Sequence, residues 1–296
     1  MQGDVRKGQE LLRQAQHAFD LGDLDKALSL AYAAVEAYEQ AQSREGQGYA
    51  HHLAGRVLTA LRQPGLALGH FSQAIDQLTD AHDQAEALLG LAETQQAHGE
   101  ADTVTTLTRA FQHIKKLKGA PDRARLLHRV GYGFYEAEAW AEAEAAYRAA
   151  LDLTDETLEP SLRSTLLLEL GNAVAQLERM DEARLLFKQS AALARRLGDL
   201  RGLSVALHGQ AVTYMAVGQA DAALKLFDES LRLKRQVGDE VGAAYTLYEM
   251  GVMHVYLGQC DQAMPLLEDS VALYEAVAAP ELEVARAGLH SYALAC

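Results

Sequence analysis

The sequence has little of what marks a β-rich, secreted or membrane-spanning protein. Aromatic residues make up 6% of its 296 residues, and it contains five prolines and two cysteines. Alanine, leucine, glutamine, glutamate and arginine are abundant, and these residues favour helices over strands. No run reaches the roughly 18 apolar residues of a membrane span, and the N-terminus lacks an apolar signal segment. We therefore expect a soluble, helical, cytoplasmic protein.

Basic charge is also scarce. The formal net charge is −14 at pH 7, whereas a nucleic-acid surface needs a basic stripe, so we expect no nucleic-acid partner and no membrane partner. Cys260 and Cys296 are far apart and outside any C-x-x-C spacing. The sequence therefore supports neither a disulfide framework nor a cysteine-based zinc site, and this cysteine usage fits a reducing compartment.

The strongest positive signal is an internal repeat, which becomes visible on stepping along the chain in both directions from Ala223 and Phe227. Steps of 40 residues, with one step of 36, reach matching positions along the chain. The first position of each unit is Ala27, Ala67, Thr103, Ala143, Ala183, Ala223 or Ala263. The second is Ala31, Phe71, Leu107, Tyr147, Phe187, Phe227 or Leu267. The short step belongs to the third unit, for which we expect a tighter loop.

Two further positions keep the same register. Three residues after the second position lies a small residue: Ala34, Ala74, Ala110, Ala150, Ser190, Ser230 or Ser270. Twelve residues before the first position lie Ala15, Gly55, Leu91, Gly131, Gly171, Ala211 and Gly251. Apolar residues recur at helical spacing on both sides of each corner, so every unit is predicted to be a helical hairpin whose small positions allow close helix packing.

The stretch "AVGQADAALKLFDESL", residues 216–231, shows the corner of one hairpin. Gly218 suits the left-handed end of the first helix, and Asp221 is predicted to cap the second. Asp181 takes the same position in the fifth unit, where Glu178 replaces the glycine. An anion site at this corner is the alternative, but Asp221 already occupies the helix N-terminus that an anion would need.

This pattern of small, alanine, aromatic and small residues resembles the tetratricopeptide repeat, in a long form without the usual closing proline. The resemblance implies an all-α, right-handed superhelical solenoid of about seven hairpins plus a C-terminal helix. It predicts one solenoid domain over residues 1–296. The predicted repeats are roughly 5–42, 43–80, 81–118, 119–158, 159–198, 199–238 and 239–279, followed by a terminal helix over 281–296.

Motifs for chemistry are absent from the sequence. There is no phosphate-binding glycine loop, and the G-x-G of "HRVGYGFY" falls inside a predicted helix, where Gly131 serves close packing. The adjacent His51 and His52 point about 100° apart on a helix, and no H-E-x-x-H occurs. We therefore predict no enzyme activity, no cofactor and no metal.

In proteins that this chain resembles, the first helix of each unit lines a concave groove. On that face the resemblance places Tyr49, His52, Arg56, Arg125, His128, Arg129, Tyr132, Asn172, His208, Tyr245, Tyr248 and Tyr256. A protein or peptide segment would bind there, with tyrosines as anchors and Arg56, Arg125 and Arg129 contacting acidic groups. The alternative is that these arginines and tyrosines only stack on one another.

Two non-catalytic functions remain open, and an enzyme is a third hypothesis only if a buried acid/base pair with a perturbed pKa lies inside the superhelix. The first is a scaffold or adaptor that binds its partner in the groove. The second is the sensor module of a bacterial signalling protein, whose output domain, a transcription regulator or nucleotide cyclase, lies outside this chain. Leu289, Tyr292 and Leu294 make the final helix less polar than a solenoid cap requires. Three interpretations therefore stay open: the helix caps the solenoid all the same, the protein continues beyond Cys296, or a partner covers the helix, for which a homodimer is the simplest case.

Overall fold

A computed structural model describes residues 2–117 and 122–296, which form fifteen α-helices and no strand. The chain divides into two compact units, Met1–Leu153 and Thr154–Cys296. Helices of the first unit are α1 (Gln2–Asp20), α2 (Leu24–Gln40), α3 (Arg44–Ala60), α4 (Pro64–Gln77), α5 (Ala81–Ala97), α6 (Thr103–Lys116), α7 (Arg123–Glu136) and α8 (Trp140–Leu151). Consecutive pairs form four hairpins, as the repeat predicts.

The second unit consists of three hairpins and a final helix. Its helices are α9 (Pro160–Gln176), α10 (Met180–Leu197), α11 (Leu200–Ala216), α12 (Ala220–Gln236), α13 (Glu240–Tyr256), α14 (Cys260–Ala276) and α15 (Leu282–Ala295). The all-α hairpin fold is therefore confirmed. None of the helices built from the described residues is both long and apolar enough to cross a bilayer.

From the second hairpin onward, the large side chain at the second repeat position is buried, and glycines of first helices pack on several of these side chains. Phe71 is 1% exposed, and a Cβ atom built on Gly55 or Gly90 would lie 2.9 or 2.5 Å from its ring. The same test on Gly131 brings a Cβ atom within 2.6 Å of the Tyr147 ring. The predicted packing role of Gly131 is confirmed. A buried phenylalanine stabilises the fold by about 1.5–3 kcal/mol.

The small position differs between the two units. It is alanine in every hairpin of the first unit and serine in every hairpin of the second. Each serine hydroxyl donates to a helix carbonyl 26 residues earlier: Ser190 to Ser164 at 2.9 Å, Ser230 to Ser204 at 2.7 Å and Ser270 to Ala244 at 2.7 Å. These side chains therefore tie the second helix of a hairpin to the first.

The helix corners have the predicted left-handed residue at the end of the first helix, but the residue that caps the second helix differs from the prediction. Gly218 has φ +74°, and Glu178 has φ +62° in the equivalent place. However, α12 is capped by Gln219 and α10 by Arg179, neither through a side-chain bond, while Asp221 and Asp181 lie in the first helical turns. The prediction that these aspartates are N-caps is wrong because each helix begins one residue before them. They still act favourably on the helix dipole.

The short repeat step arises mainly in a helix and not in a loop. Helix α4 has 14 residues, whereas α2 and α12 have 17 each. It ends at Gln77, and the next residue, Leu78, has an extended backbone. The tighter loop that we expected in the third unit therefore contributes little, since the missing residues come from the end of α4.

The two cysteines are paired, which corrects the expectation from their spacing. Cys260 and Cys296 form a disulfide with Cα atoms 5.6 Å apart, so the described residues contain no free cysteine. Cys260 begins α14, and Cys296 follows the end of α15. Because these helices run in opposite directions, the start of one lies beside the end of the other.

Candidate functional site

A groove in the first unit brings together most of the predicted binding residues of that unit. Three cavities, of about 670, 710 and 520 Å³, follow one another along α1, α3, α5 and α7. His52 and Arg56 line the first two, and Glu93 and Arg129 line the second and third. The cavities are therefore continuous, and we call them together the first-unit groove.

Arg56 stands where the first two cavities meet. Its guanidinium lies 5.0 Å from the centre of the Phe19 ring, and its Nη1 donates to Gln16 at 3.4 Å. Among the described residues, no carboxylate forms an ion pair with it. Arg56 therefore places a cation in a concave site. Most of its N–H donors do not bind a carboxylate of the described protein and can bind one from a partner.

Arg129 lies in the same groove but is already neutralised. Its Nη1 is 2.6 Å from Glu86 Oε2, and its Nη2 is 2.7 Å from Glu93 Oε1. Both glutamates belong to α5, so the pairs join the third hairpin to the fourth. A partner's carboxylate would have to displace one of these glutamates to contact Arg129.

The histidines beside Arg56 are neutral at physiological pH. Burial and the nearby Arg56 charge lower the pKa of His52 to about 4. Burial and the neighbouring His70 lower the pKa of His51 to about 4 as well. The Nδ1 atoms of His51 and His70 are 2.8 Å apart, so one ring must donate and the other accept. His51 is thus structural, whereas His52 lines the groove.

Tyr49 and Arg125 are less available than the sequence suggests. The Tyr49 hydroxyl donates to Asp83 at 2.6 Å, and this bond raises its pKa. Arg125 forms an ion pair with Asp122 at 2.9 Å and lines none of the three cavities. His128 and Tyr132 do line the 520 Å³ cavity, with half of the Tyr132 side chain exposed.

The predicted residues of the second unit have several different environments. Asn172 is half-buried on α9, and Tyr245 and Tyr256 are exposed on α13. Tyr248 is half-buried under α15, where its ring centre is 6.4 Å from that of Tyr292. Burial raises the pKa of Tyr248. Whether these side chains contact a partner stays a prediction.

His208, also predicted for the groove, belongs to a buried polar cluster. Its Nδ1 lies 3.2 Å from Thr246 Oγ1, and its Nε2 has no hydrogen-bond partner among the described residues. Lys234 Nζ donates to Thr246 Oγ1 at 2.9 Å and to Gly242 O at 3.2 Å. Burial lowers the pKa of His208 to about 3 and that of Lys234 to about 8. Both groups are inside the protein.

One cluster in the described chain has the residue types of a cation site. The ligand atoms of Asp80, His82 and Asp83 lie within 4.8 Å of one another at the start of α5. Asp80 already accepts the backbone N–H groups of His82 and Asp83, and Asp83 accepts from Tyr49. These carboxylates therefore serve a helix cap and a tyrosine.

Sequence reasoning missed Glu86 and Glu93. Each forms its ion pair with Arg129 across 43 or 36 residues of sequence. The available signal was an acidic residue one repeat before a basic one, on the same helix face. The third unit has Leu91 at its small position, and none of its first-helix residues entered the predicted site.

Comparison with known proteins agrees with the helical-hairpin fold. Residues 202–276 match the family model described as "Tetratricopeptide repeat". Residues 202–276 therefore belong to the tetratricopeptide-repeat family. Such repeats are typically non-catalytic modules for protein–protein interaction. No curated protein matches the sequence.

Three solved structures illustrate how widely this repeat fold is used. A Signal Transduction ATPase with Numerous Domains, with a tetratricopeptide repeat sensor, from Pyrococcus horikoshii has a TM-score of 0.72 at 15% identity, covering 94% of this chain and 43% of its own. The C-terminal part of a tetratricopeptide repeat-containing protein from Cytophaga hutchinsonii has a TM-score of 0.61 at 12% identity, and the match covers 94% of this chain and 99% of that one. Aspartyl phosphate phosphatase F from Bacillus subtilis has a TM-score of 0.56 at 14% identity, and the match covers 90% of this chain and 75% of that one. At these identities the likeness shows the fold alone.

Proposed function

We propose that this protein is a non-catalytic scaffold or adaptor that binds an extended or helical segment of a partner in the first-unit groove. The observation that carries this proposal is the position of Arg56, an unneutralised cation where two cavities meet. An acidic side chain of the partner pairs with Arg56, and an apolar side chain packs beside Phe19 and His52. The cytoplasm is its proposed location.

The three arginines that the sequence predicts to bind acidic groups differ in their availability for a partner's carboxylate. Arg129 is held by two glutamates, and Arg125 is paired outside the cavities, which leaves Arg56 as the carboxylate contact. A charge-assisted hydrogen bond to an ionised group contributes about 1.5–3 kcal/mol. That range corresponds to roughly tenfold to hundredfold in affinity.

Selection of random 12-residue peptides on the intact chain supplies a ligand for testing this contact. We expect the selected peptides to share an aspartate or glutamate, and Arg56→Gln to weaken their binding about tenfold to hundredfold in calorimetry. Replacing the peptide's acidic residue by its amide should weaken binding to the wild type but not to the variant. Arg195→Gln is the matched control, because Arg195 pairs with Glu229 on the surface of the second unit.

Peptides without an acidic preference, or peptides that bind the Arg56 variant with wild-type affinity, would contradict the proposed contact. Equal weakening by Arg56→Gln and Arg195→Gln would point to a general charge effect. Repeating the titration at higher salt separates these cases, since interactions between exposed charges more than a Debye length apart are largely screened.

A second candidate function is supported by the Pyrococcus horikoshii structure, whose tetratricopeptide repeats are a sensor. In that case the groove would bind a signal and act on an output domain outside this chain. Reading the gene beyond the codon for Cys296 tests it: a regulator or cyclase domain in frame supports the sensor, and a stop codon favours the adaptor. The homodimer through α15 stays a prediction, supported by the exposure of Val284 and Leu294 on that helix.

A further inference from the structure

The C-terminal helix α15 is held by few buried contacts. Of its described side chains only that of Ala285 is buried, whereas α13 buries eight of its residues. Helices of about 12–15 residues are marginal in water unless packing supports them, and α15 has 14 residues. Its position therefore depends strongly on whatever fastens its ends.

Three non-covalent contacts hold the middle of α15. Gly288 packs on Tyr248, where an added Cβ atom would lie 2.2 Å from the tyrosine hydroxyl. Tyr292 forms a hydrogen bond with the same tyrosine. Arg286 pairs with Glu275 of α14 at 2.9 Å, but both side chains are largely exposed. An exposed pair of this kind contributes little.

The covalent contact lies at the far end of the helix. Cys296, which is exposed, is bonded to the half-buried Cys260 at the start of α14. The bond closes a segment of chain with a sequence separation of 36 residues and prevents α15 from swinging away from α14. Closing such a segment removes conformational freedom from the detached state of the helix.

Helix α15 covers an apolar and aromatic surface of the second unit. Beneath it lie Ala244, Tyr274 and Ala279, with Tyr248 and Leu273 at the edge of the cluster. Tyr248 is also one of the residues that the sequence predicts to contact a partner. While α15 is in place, this tyrosine is only partly accessible.

We propose that the Cys260–Cys296 bond is a reducible latch that keeps α15 over this surface, and that its reduction releases α15 and exposes Tyr248 and Tyr274. The redox-sensing role rests on the proposed cytoplasmic location, because disulfides in reducing compartments are usually transient and redox-sensing. The latch belongs to the second unit and does not depend on the proposed function of the first-unit groove.

The chemistry is a two-electron thiol–disulfide exchange with a dithiol reductant. One thiolate of the reductant attacks Cys296 Sγ, which is the exposed sulfur, and the Cys260 thiolate leaves and takes up a proton. The second thiolate of the reductant then attacks the mixed disulfide and releases the Cys296 thiol. The protein gains two electrons and two protons, and the dithiol is oxidised to its own disulfide.

Hydrogen–deuterium exchange on the intact chain tests the latch. Exchange is measured first on protein oxidised with oxidised glutathione and then on the same protein reduced with dithiothreitol. We expect peptides from residues 282–295 to exchange at least tenfold faster after reduction, with a smaller acceleration around residues 244–252. Peptides from residues 44–60 and 200–216 should not change. Cys296→Ser should behave like the reduced protein and should not respond to dithiothreitol.

Tyr292→Phe is the matched control, since it removes the hydrogen bond to Tyr248 but keeps the disulfide, and its oxidised form should protect α15. Three results would overturn the proposal. Mass mapping could find both thiols free after oxidation, or α15 could remain equally protected in both redox states. Reduction could also deprotect residues 200–236, which would mean that the disulfide supports the whole unit.

Discussion

The two units contain the same packing pattern but place their polar groups differently. In the first unit the small position is always alanine, and polar side chains gather in the open groove, where Arg129 pairs with Glu86 and Glu93. In the second unit the small position is serine, and Lys234 is buried, whereas no lysine among the described residues of the first unit is buried. At the small position of the second helix the repeat thus keeps the side chain small, whereas its polarity varies where a helix carbonyl is within reach.

The largest expected effect is the loss of stability on removing a buried phenylalanine, a feature that both units share. Phe71→Ala and Phe227→Ala should each destabilise by about 3–5 kcal/mol, because each leaves a cavity between helices. Trp140, the only tryptophan, lies in the first unit. We expect Phe71→Ala to lower the urea midpoint measured by Trp140 fluorescence, and Phe227→Ala to lower the midpoint measured by circular dichroism. Equal shifts of the tryptophan signal would show that the two units unfold together.

The next effect concerns Lys234, which has Ala194 and Tyr274 as its counterparts in the neighbouring repeats. Burial lowers its pKa from 10.5 to about 8, so between these values the unfolded chain binds more protons than the folded one. Stability should therefore rise with pH, by about 2 kcal/mol between pH 7.5 and 9.5. Lys234→Met should lose this rise, as measured by urea unfolding at both values. The same pH slope in wild type and variant would contradict the assignment.

The smallest effect concerns the serine hydrogen bonds. Ser230→Ala should cost about 0.5–1.5 kcal/mol, because it removes a bond between buried groups. The reciprocal change is Ala74→Ser, for which the carbonyl 26 residues earlier belongs to Gly48. If the hydroxyl reaches that carbonyl, the stability should change by about 1 kcal/mol or less. A much larger loss for Ala74→Ser would show that the first unit has no acceptor in that place.

Much of the fold could be predicted from the repeat, since Ala223, Phe227 and Ser230 recur at positions that only helical packing explains. The cap of α12 could not, because "GQAD" offers two possible starts and the backbone begins the helix before Asp221. The disulfide was missed because a sequence separation of 36 residues says nothing about two antiparallel helices bringing their ends together.

The candidate groove was predictable as a helix face but not as a charged surface. Register places Arg56, Arg125 and Arg129 on first helices, yet their availability depends on acids one repeat away or in the same turn. Glu86 and Glu93 neutralise Arg129, and Asp122 pairs with Arg125. Such pairing depends on rotamers and on the distance between helices, which a one-dimensional pattern does not contain.

The bridge from Arg129 to two glutamates of α5 also limits how this array could be lengthened or shortened. Identical repeats can be duplicated or deleted freely, because each contacts only its neighbours through the same surface. Here the third and fourth hairpins carry matched charges, so an inserted copy of either would separate Arg129 from its acids or place like charges together. We therefore expect that these two hairpins have to be kept together when the array is redesigned.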